Sequence, residues 1–170
     1  MKEEYQEKEL YPSIMEWLEG YLEDRFRKSK VSTFNTSGVV LYRFLQEKGL
    51  SEYFPDYQAF EIMVDITGII ISNNTAKLVF VEVKKGGISL KEISQLLGYS
   101  MIAKPEFSFL ISPEGLSNRM NYLLNQIKHF DILHYDKEEN NRFIRIARWD
   151  IEKKEIIPDS MIPRGSHILV

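Results

Sequence analysis

The sequence predicts an α/β domain in which a mixed central β-sheet is flanked by helices. Short apolar runs such as Ile66 to Ile71 alternate along the chain with segments of helical period, a pattern typical of a sheet covered by helices. The chain has 170 residues, of which 44% are hydrophobic and 12% aromatic, so it can bury a full core. We therefore expect a single domain over residues 1–170, whose last residues, from about 156 to 170, could form an extended tail.

Elements before the first apolar run are predicted as a long helix, a strand and a short helix. Tyr11 begins a helix that runs to about Lys28 and carries an apolar stripe made of Ile14, Leu18, Tyr21, Leu22 and Phe26. Val31 to Asn35 can form a strand, and Val39 to Gln46 reads as a short helix that Gly49 ends. Tyr57 to Ile62 is either a separate strand or the start of the next one, and the sequence leaves both open.

The two apolar runs Ile66 to Ile71 and Leu78 to Val81 are predicted to form a β-hairpin. Between them lies Ser72 to Lys77, which is rich in residues that favour turns. We place the centre of this turn between Asn74 and Thr75. The register of the paired strands follows from that choice.

In this register Asp65 pairs opposite Lys84 and lies diagonal to Glu82. Side chains alternate between faces along a strand, so Glu82 and Lys84 share a face and Val83 lies on the other. Neighbours on one face are about 5 Å apart when directly opposite and roughly 7–8 Å apart on the diagonal. The sequence therefore predicts two carboxylates and one lysine within reach of one another.

Two carboxylates beside an ammonium group suit a divalent cation of the Mg²⁺ or Mn²⁺ type. These ions prefer hard oxygen ligands, keep several waters and bind substrate phosphates. Such an ion polarises a phosphoryl oxygen and lowers the pKa of a water, which indicates phosphodiester hydrolysis. The alternative is an unrelated α/β domain in which Glu82 and Lys84 are merely solvated.

The segment after this strand is predicted as a helix from Leu90 to Ala103. Ser89 and Glu92 have the spacing of a capping box, and the apolar positions are Ile93, Leu96, Leu97 and Ile102. Three polar side chains recur every four residues and so share one face, where they could grip a phosphate backbone: Lys91, Gln95 and Tyr99. The alternative is an ordinary amphipathic helix in which Tyr99 covers the edge of the core.

The C-terminal part is predicted to add strands and one more helix. Phe107 to Ile111 is an apolar strand between two prolines, and Leu116 to Phe130 is a helix. Ile132 to Tyr135 and Phe143 to Trp149 are late strands around a polar turn. The predicted order is therefore helix, strands, helix, strand, followed by one more helix and two late strands.

The chain resembles the PD-(D/E)xK nuclease superfamily, in particular its RecB-like branch with the QxxxY motif. The resemblance lies in three motifs that follow in order, Asp65, Glu82-Val83-Lys84 and Gln95-Leu96-Leu97-Gly98-Tyr99. The resemblance covers roughly Glu9 to Ser112. It implies a restriction-endonuclease-like core in which Asp65 and Glu82 are metal ligands and Lys84 is the catalytic lysine. It also implies that Gln95 and Tyr99 position the nucleic acid or the active site. Val64 stands where the motif's proline would be.

Many members of this superfamily place a glutamate of the first helix near the metal. Glu9 lies just before the predicted helix and Glu16 lies inside it. We prefer Glu9 as the third ligand, because a residue at the helix entrance can reach over the edge of the sheet, and we take Glu16 as second choice. For either residue the alternative is a solvated surface glutamate.

Composition narrows the classes of function. The absence of cysteine excludes disulfides, zinc–thiolate sites and the iron–sulfur cluster of some RecB-like nucleases. No stretch approaches the roughly 18 apolar residues of a membrane span, and Met1 to Glu9 is charged where a signal peptide would be apolar. We therefore expect a cytoplasmic protein without a membrane partner. A net charge of -3 gives no overall basic footprint, which counts against avid non-specific DNA binding.

The leading hypothesis is a Mg²⁺-dependent deoxyribonuclease acting in repair, recombination, restriction or defence. DNA is then the partner, and a homodimer or a larger complex stays open. The alternative is a nuclease-fold module without turnover that binds nucleic acid or a protein.

Overall fold

A mixed seven-stranded sheet forms the centre of the computed structural model, which describes residues 5–164. The strands run β1-β2-β3-β4-β6-β5 across the sheet, and β7 pairs with β6. The pairs β3/β4 and β4/β6 are parallel and the others antiparallel. The strand bounds are β1 Lys30–Asn35, β2 Ile66–Ser72, β3 Thr75–Val83, β4 Phe107–Ser112, β5 His134–Asp136, β6 Arg142–Asp150 and β7 Glu155–Ile156.

Helices cover both faces of the sheet, which confirms the predicted α/β class with a mixed sheet. One face packs against α1, and the other packs against α2, α3 and the segment around α4. The α-helices are α1 Tyr11–Arg25, α2 Leu41–Glu47, α3 Leu90–Ala103 and α4 Asn118–Asn121. Single 3-10 turns lie at Glu7–Leu10, Ser51–Tyr53, Tyr57–Ala59 and Phe130–Leu133.

The two core layers follow the alternation of side chains along β3. Val79 and Val81 pack with α1, while Leu78 and Phe80 pack with α2 and α3. Continuing this alternation places Glu82 on the α2 and α3 side of the sheet. A carboxylate therefore ends the strand on the face where α3 begins.

Helix α1 lies close to the sheet because β2 carries Gly68 at the contact. A Cβ atom at Gly68 would lie 3.1 Å from Val79 Cβ and 3.2 Å from Leu22 Cδ1. Ile14, Leu18 and Leu22 are fully buried on this helix, and each contributes about 1.5–3 kcal/mol by burial. This packing fixes the N-terminal end of α1 relative to the start of β2.

The hairpin of β2 and β3 has a tighter turn than the sequence predicted. Ser72 pairs with Thr75, so the loop is the two residues Asn73 and Asn74, and Asn73 adopts a positive φ of 51°. Extending the register by one pair places Asp65 opposite Glu82, whereas the prediction placed it opposite Lys84. The shift is an even number of residues, so the predicted faces are retained.

Helix α3 matches its prediction, including its ends. The Ser89 and Glu92 capping box is present, and Ile93 and Leu96 are buried. Ile102 is 52% exposed, so its assignment to the apolar face was wrong. The last turn of α3 presents that side chain to solvent beside Met101, which is also exposed.

Three other predictions differ from the structure. Tyr57–Ala59 is a 3-10 turn, and the residues after it form no strand, because the Phe60 and Ile62 carbonyls accept hydrogen bonds from α2. The single helix expected over 116–130 is α4 followed by a π-helical segment, Tyr122–Gln126, and a separate 3-10 turn. In the expected tail, Ile162 is buried and exchanges backbone hydrogen bonds with Ile146, while residues 165–170 lie outside the described part.

Candidate active site

Asp65 and Glu82 meet where β2 begins and β3 ends. Asp65 directly precedes β2, and the two oxygens of its carboxylate accept hydrogen bonds from different donors. Oδ2 accepts from the Val83 backbone N–H at 2.8 Å, and Oδ1 accepts from the Tyr11 hydroxyl at 2.7 Å. Asp65 is therefore a fixed carboxylate whose orientation is set by β3 and by the start of α1.

Glu82 is a nearly buried carboxylate whose negative charge is only partly balanced by its neighbours. The residue is 8% exposed, and its Oε1 lies 3.5 Å from the Lys84 Nζ. Oε2 is buried and has no hydrogen-bond partner among the described residues. Burial and then the charge of Asp65 raise the pKa of Glu82 to about 7. A second cation beside Oε2 would therefore stabilise the ionised form.

Lys84 contributes an ammonium group rather than a base. Burial alone would lower the pKa of Lys84, but the carboxylates of Glu82, Glu7 and Asp65 outweigh it and raise that pKa above its ordinary value. The side chain therefore carries its positive charge at neutral pH. It can offset negative charge or orient a water molecule, and it cannot accept a proton.

Tyr11 reaches the carboxylates from the first turn of α1. The residue is buried, and burial followed by its hydrogen bond to Asp65 raises the pKa of Tyr11 well above its ordinary value. The hydroxyl therefore remains a donor over the whole pH range in which the protein would act. From the sequence, Tyr11 was expected only to begin the helix.

Among the described residues, Glu7 is an N-terminal glutamate that lies at this end of the sheet. Its Oε2 accepts a hydrogen bond from the Lys85 backbone N–H at 2.9 Å, and its charge acts on Lys84 and Tyr11. Sequence reasoning missed it because the 3-10 turn Glu7–Leu10 sets its direction, and helical periodicity gives no signal for such a turn.

The two glutamates proposed from the sequence point elsewhere. Glu9 is exposed, and its Oε2 accepts a hydrogen bond from the Gln6 backbone N–H, so the side chain caps its own turn. Glu16 is exposed on α1, where it lines a groove between that helix and β1. The structure therefore does not place either of them beside Asp65 and Glu82.

The polar face predicted on α3 exists, although it does not contact the carboxylates. Gln95 Nε2 donates to the Tyr99 hydroxyl at 3.1 Å, and Lys91 is exposed one turn earlier. Tyr99 also packs against the edge of the core. Glu92, in the first turn, is close enough for the charge of Lys84 to act on it. The start of α3 thus lies beside the lysine, with the Gln95 and Tyr99 pair further along the helix.

The donor set fits a divalent cation with an open ligand shell. Asp65 and Glu82 supply carboxylate oxygens, and Glu82 Oε2 is a buried acceptor for which the described part of the chain offers no donor. Within residues 5–164 no group of three or more His, Cys, Asp or Glu side chains has the spacing of a metal site. Water and substrate would therefore complete the shell, as is usual for Mg²⁺.

Comparison with known proteins identifies no family for this chain. No family model, no curated protein and no solved structure matches this chain. In the part of the chain that is described, no helix has the length and apolar character needed to cross a membrane. A proposal of function therefore depends on the side chains of the site itself.

Charge is divided unequally around the site. The groove between α1 and β1 has a volume of about 880 Å³, and its lining includes three glutamates, Glu16, Glu19 and Glu23, against one lysine, Lys8. On the other side, Lys84 and Lys85 follow β3, and the Lys85 ammonium lies 5.2 Å from the Tyr5 ring. A polyanion would be repelled by the groove, so it would approach over the lysines and the start of α3.

Proposed function

We propose that this protein is a Mg²⁺- or Mn²⁺-dependent nuclease that hydrolyses phosphodiester bonds in DNA. The observation that carries the proposal is the pairing of Asp65 with Glu82, whose buried Oε2 has no donor within residues 5–164 and whose Oε1 is 3.5 Å from the Lys84 ammonium. Two carboxylates and one lysine at a strand end form the chemical set that phosphodiester hydrolysis uses. A role in repair, recombination, restriction or defence would follow from this activity.

We further propose that the fold contains the restriction-endonuclease-like core of the PD-(D/E)xK superfamily. The order α1, β1, β2, β3, α3, β4 supports this, since it gives helix, three strands, helix and strand, with α2 inserted after β1. The position of Asp65 directly before β2 and of Glu82 near the end of the neighbouring β3 supports it as well. The QxxxY residues Gln95 and Tyr99 lie on the helix that follows, as the RecB-like branch would require.

Each side chain has a distinct role in this proposal. Asp65 and Glu82 would hold the cation, which when bound polarises a phosphoryl oxygen and lowers the pKa of a nearby water. Tyr11 and the Val83 N–H keep the Asp65 carboxylate in place. Lys84 offsets the charge that develops on the phosphate in the transition state. Gln95 and Tyr99 would position the strand or the catalytic groups.

The test is a cleavage assay on supercoiled plasmid, linear duplex and single-stranded DNA with Mg²⁺, Mn²⁺ or a chelator. We expect cleavage of at least one substrate with metal, and none with the chelator or in Asp65→Asn. Asp56→Asn is the matched control, because Asp56 is exposed in a loop and makes no side-chain cap. The proposal fails if Asp65→Asn cleaves as fast as Asp56→Asn.

A nuclease-fold module without turnover is the second candidate. The acidic groove beside the site and the net charge of -3 favour the form that binds a protein partner, because neither helps a polyanion such as nucleic acid to bind. Under this proposal calorimetry would show Mn²⁺ binding that depends on Asp65 and Glu82, while every DNA substrate stays intact. That combination of results would distinguish it from the nuclease.

A further inference from the structure

Strand β1 forms an edge of the sheet. It pairs with β2 on one side, and no strand in the described part of the chain pairs with its other side. In an antiparallel pair, consecutive residues point their N–H and C=O groups alternately toward the partner strand and away from it. The Thr36 N–H donates to the Asp65 carbonyl at 2.9 Å, which fixes this alternation. The backbone groups that point outward are therefore those of Val31, Thr33 and Asn35.

The groove between α1 and β1 lies beside these outward groups. Thr33 and Asn35 line it from the strand, and Pro12, Met15 and the exposed Gly20 line it from the helix. Its volume of about 880 Å³ lies within the range of ordinary ligand sites. An extended segment placed along β1 would therefore meet backbone donors and acceptors on one side and the surface of α1 on the other.

Gly20 leaves open space at the helix wall of this groove. It lies inside α1, where glycine is less favourable than alanine because it loses more backbone entropy on folding. A Cβ atom at Gly20 would meet nothing within 4 Å, so the packing of α1 does not require this glycine. Gly68 differs, because a Cβ atom there would lie 3.2 Å from Leu22 Cδ1. The space above Gly20 is thus available to a partner.

The groove has an excess of negative charge. Three carboxylates lie on the wall formed by α1: Glu16, Glu19 and Glu23. Lys8 lies in the same lining, and none of the three glutamates forms an ion pair within residues 5–164. Glu19 accepts a hydrogen bond from the Thr33 hydroxyl at 3.2 Å, which leaves its charge in place. Lys30 begins β1, but it shares the face of Phe34, which packs against α2.

We propose that this edge binds an extended basic segment of a protein partner, which adds a strand to β1. Peptides bind in this way to exposed sheet edges, where main-chain hydrogen bonds provide affinity and alternate side chains provide specificity. Alternate residues of a strand are about 6.7 Å apart, and the three glutamates extend over roughly 10 Å of the α1 axis. Two or three lysine or arginine side chains on one face of the added strand would therefore lie opposite the glutamates.

A second copy of this chain fits the edge less well. Pairing β1 with the β1 of another copy would bring two grooves of the same charge together, and like charges oppose such an association. A nucleic acid is repelled for the same reason. The charge of the groove therefore selects a basic polypeptide.

The test is a calorimetric titration of the full chain with a synthetic peptide of about seven residues that alternates lysine and threonine. We expect saturable binding of one peptide per chain, and none when glutamate replaces lysine. Two further peptides are N-methylated, one at its lysines and the other at its threonines. Because the amides of alternate residues point to opposite edges of a strand, one methylated peptide should lose binding and the other should keep it.

The charge of the groove is tested with a double variant. Glu16→Gln combined with Glu23→Gln should lower the affinity for the lysine peptide about tenfold, since two exposed ion pairs together contribute on that scale. The matched control combines Glu47→Gln with Glu52→Gln, which removes two exposed carboxylates in α2 and in the 3-10 turn that follows it. This control should bind the peptide like the parent.

Gly20→Leu fills the groove without removing any contact. It should weaken peptide binding at least tenfold, and it should not lower the Tm, because leucine is a better helix former than glycine. A loss of binding in this variant is therefore not a loss of folding. Gly98→Leu makes the same change at an exposed position of α3 where a Cβ atom would also meet nothing within 4 Å, and it should bind the peptide normally.

Three results would contradict the proposal. The first is a lack of saturable binding of the lysine peptide at millimolar concentrations. The second is equal binding of the two N-methylated peptides, which would indicate charge attraction without strand addition. The third is a dimer of the protein alone in sedimentation that Gly20→Leu separates, which would assign the edge to a second copy. None of these results depends on whether the protein cleaves DNA.

Discussion

The Tyr11 hydroxyl donates a 2.7 Å hydrogen bond to Asp65 Oδ1 across 54 residues of sequence. It connects the first turn of α1, which packs on one face of the sheet, with a carboxylate at the start of β2. The Val83 N–H holds the other Asp65 oxygen. Between them, the helix and β3 set the direction in which Asp65 can present its remaining lone pairs.

Tyr11→Phe keeps the ring and removes only this donor. Because a hydrogen bond to a charged acceptor contributes roughly 1.5–3 kcal/mol, we expect cleavage to slow by about tenfold to a hundredfold. Metal affinity should fall as well, while the ring preserves the packing. Tyr122→Phe is the control, since Tyr122 is exposed. Equal cleavage rates in the two variants would mean that the hydrogen bond from Tyr11 to Asp65 does not contribute to cleavage.

Glu82→Gln should abolish metal binding and cleavage while leaving the fold intact. The change removes one ligand charge and hardly alters side-chain volume. Calorimetry with Mn²⁺ measures the binding and circular dichroism the fold. Glu52→Gln changes an exposed carboxylate in the 3-10 turn Ser51–Tyr53, and this variant should bind Mn²⁺ like the parent. An unchanged Mn²⁺ affinity in Glu82→Gln would remove this residue from the site.

Stability in chelator should fall as the pH rises from 4.5 to about 7. The pKa of Glu82 is raised from 4.5 to about 7, so in this interval the folded state keeps a proton that the unfolded chain has released. The free energy of unfolding therefore decreases with pH, by up to about 3 kcal/mol at roughly 1.4 kcal/mol per pKa unit. Urea titrations at several pH values measure it.

The same titrations on Glu82→Gln test the origin of this slope. The variant cannot titrate at this position, so its stability should change less between these pH values. Identical slopes in the two proteins would show that another group is responsible.

Lys84→Ala should keep metal binding and lose most of the cleavage. Its ammonium is proposed to stabilise charge in the transition state, a role that contributes roughly 3–4 kcal/mol in comparable sites and corresponds to a rate loss of orders of magnitude. Single-turnover cleavage with saturating Mn²⁺ measures the loss. Lys153→Ala, which removes an exposed lysine in the turn between β6 and β7, is the matched control. Near-normal turnover in Lys84→Ala would reduce Lys84 to a surface residue.

Gln95→Ala and Tyr99→Phe should impair catalysis or DNA binding without loss of stability. Gln95 is exposed, so its contribution to folding lies within about 0.5 kcal/mol, and Tyr99→Phe keeps the ring that packs on the core. Cleavage rates and DNA affinity are compared with those of Gln126→Ala, which removes an exposed glutamine elsewhere. Parental cleavage by both variants would leave α3 as scaffolding.

Local patterns in the sequence predicted the parts of this structure that depend on local rules. The capping box of Ser89 and Glu92 fixed the start of α3, and period-two alternation placed Glu82 and Lys84 on one face. The exact pairing of Asp65 required the turn geometry, because Asn73 can adopt a positive φ and so permits a two-residue loop.

The remaining site residues depend on tertiary contacts that no period encodes. Glu7 reaches the Lys85 backbone only because a 3-10 turn precedes α1, and Tyr11 meets Asp65 only because α1 lies where it does. Tyr57 to Ile62 has an apolar and aromatic composition typical of a strand. Its Phe60 and Ile62 carbonyls, however, accept hydrogen bonds from backbone N–H groups of α2. Tertiary hydrogen bonding overrides local propensity at these positions.

The orientation of the Asp65 carboxylate depends on Gly68, which lies in the core beneath α1. The glycine lets Leu22 rest on β2, and the same rigid helix carries Tyr11 to Asp65 from eleven residues, or about 16 Å, away. A methyl group at residue 68 would push the Leu22 end of α1 away from the sheet. Because the helix is rigid, this tilt would also displace the Tyr11 hydroxyl at its other end. Substitutions deep in the core can therefore misalign this site without altering any residue that touches it.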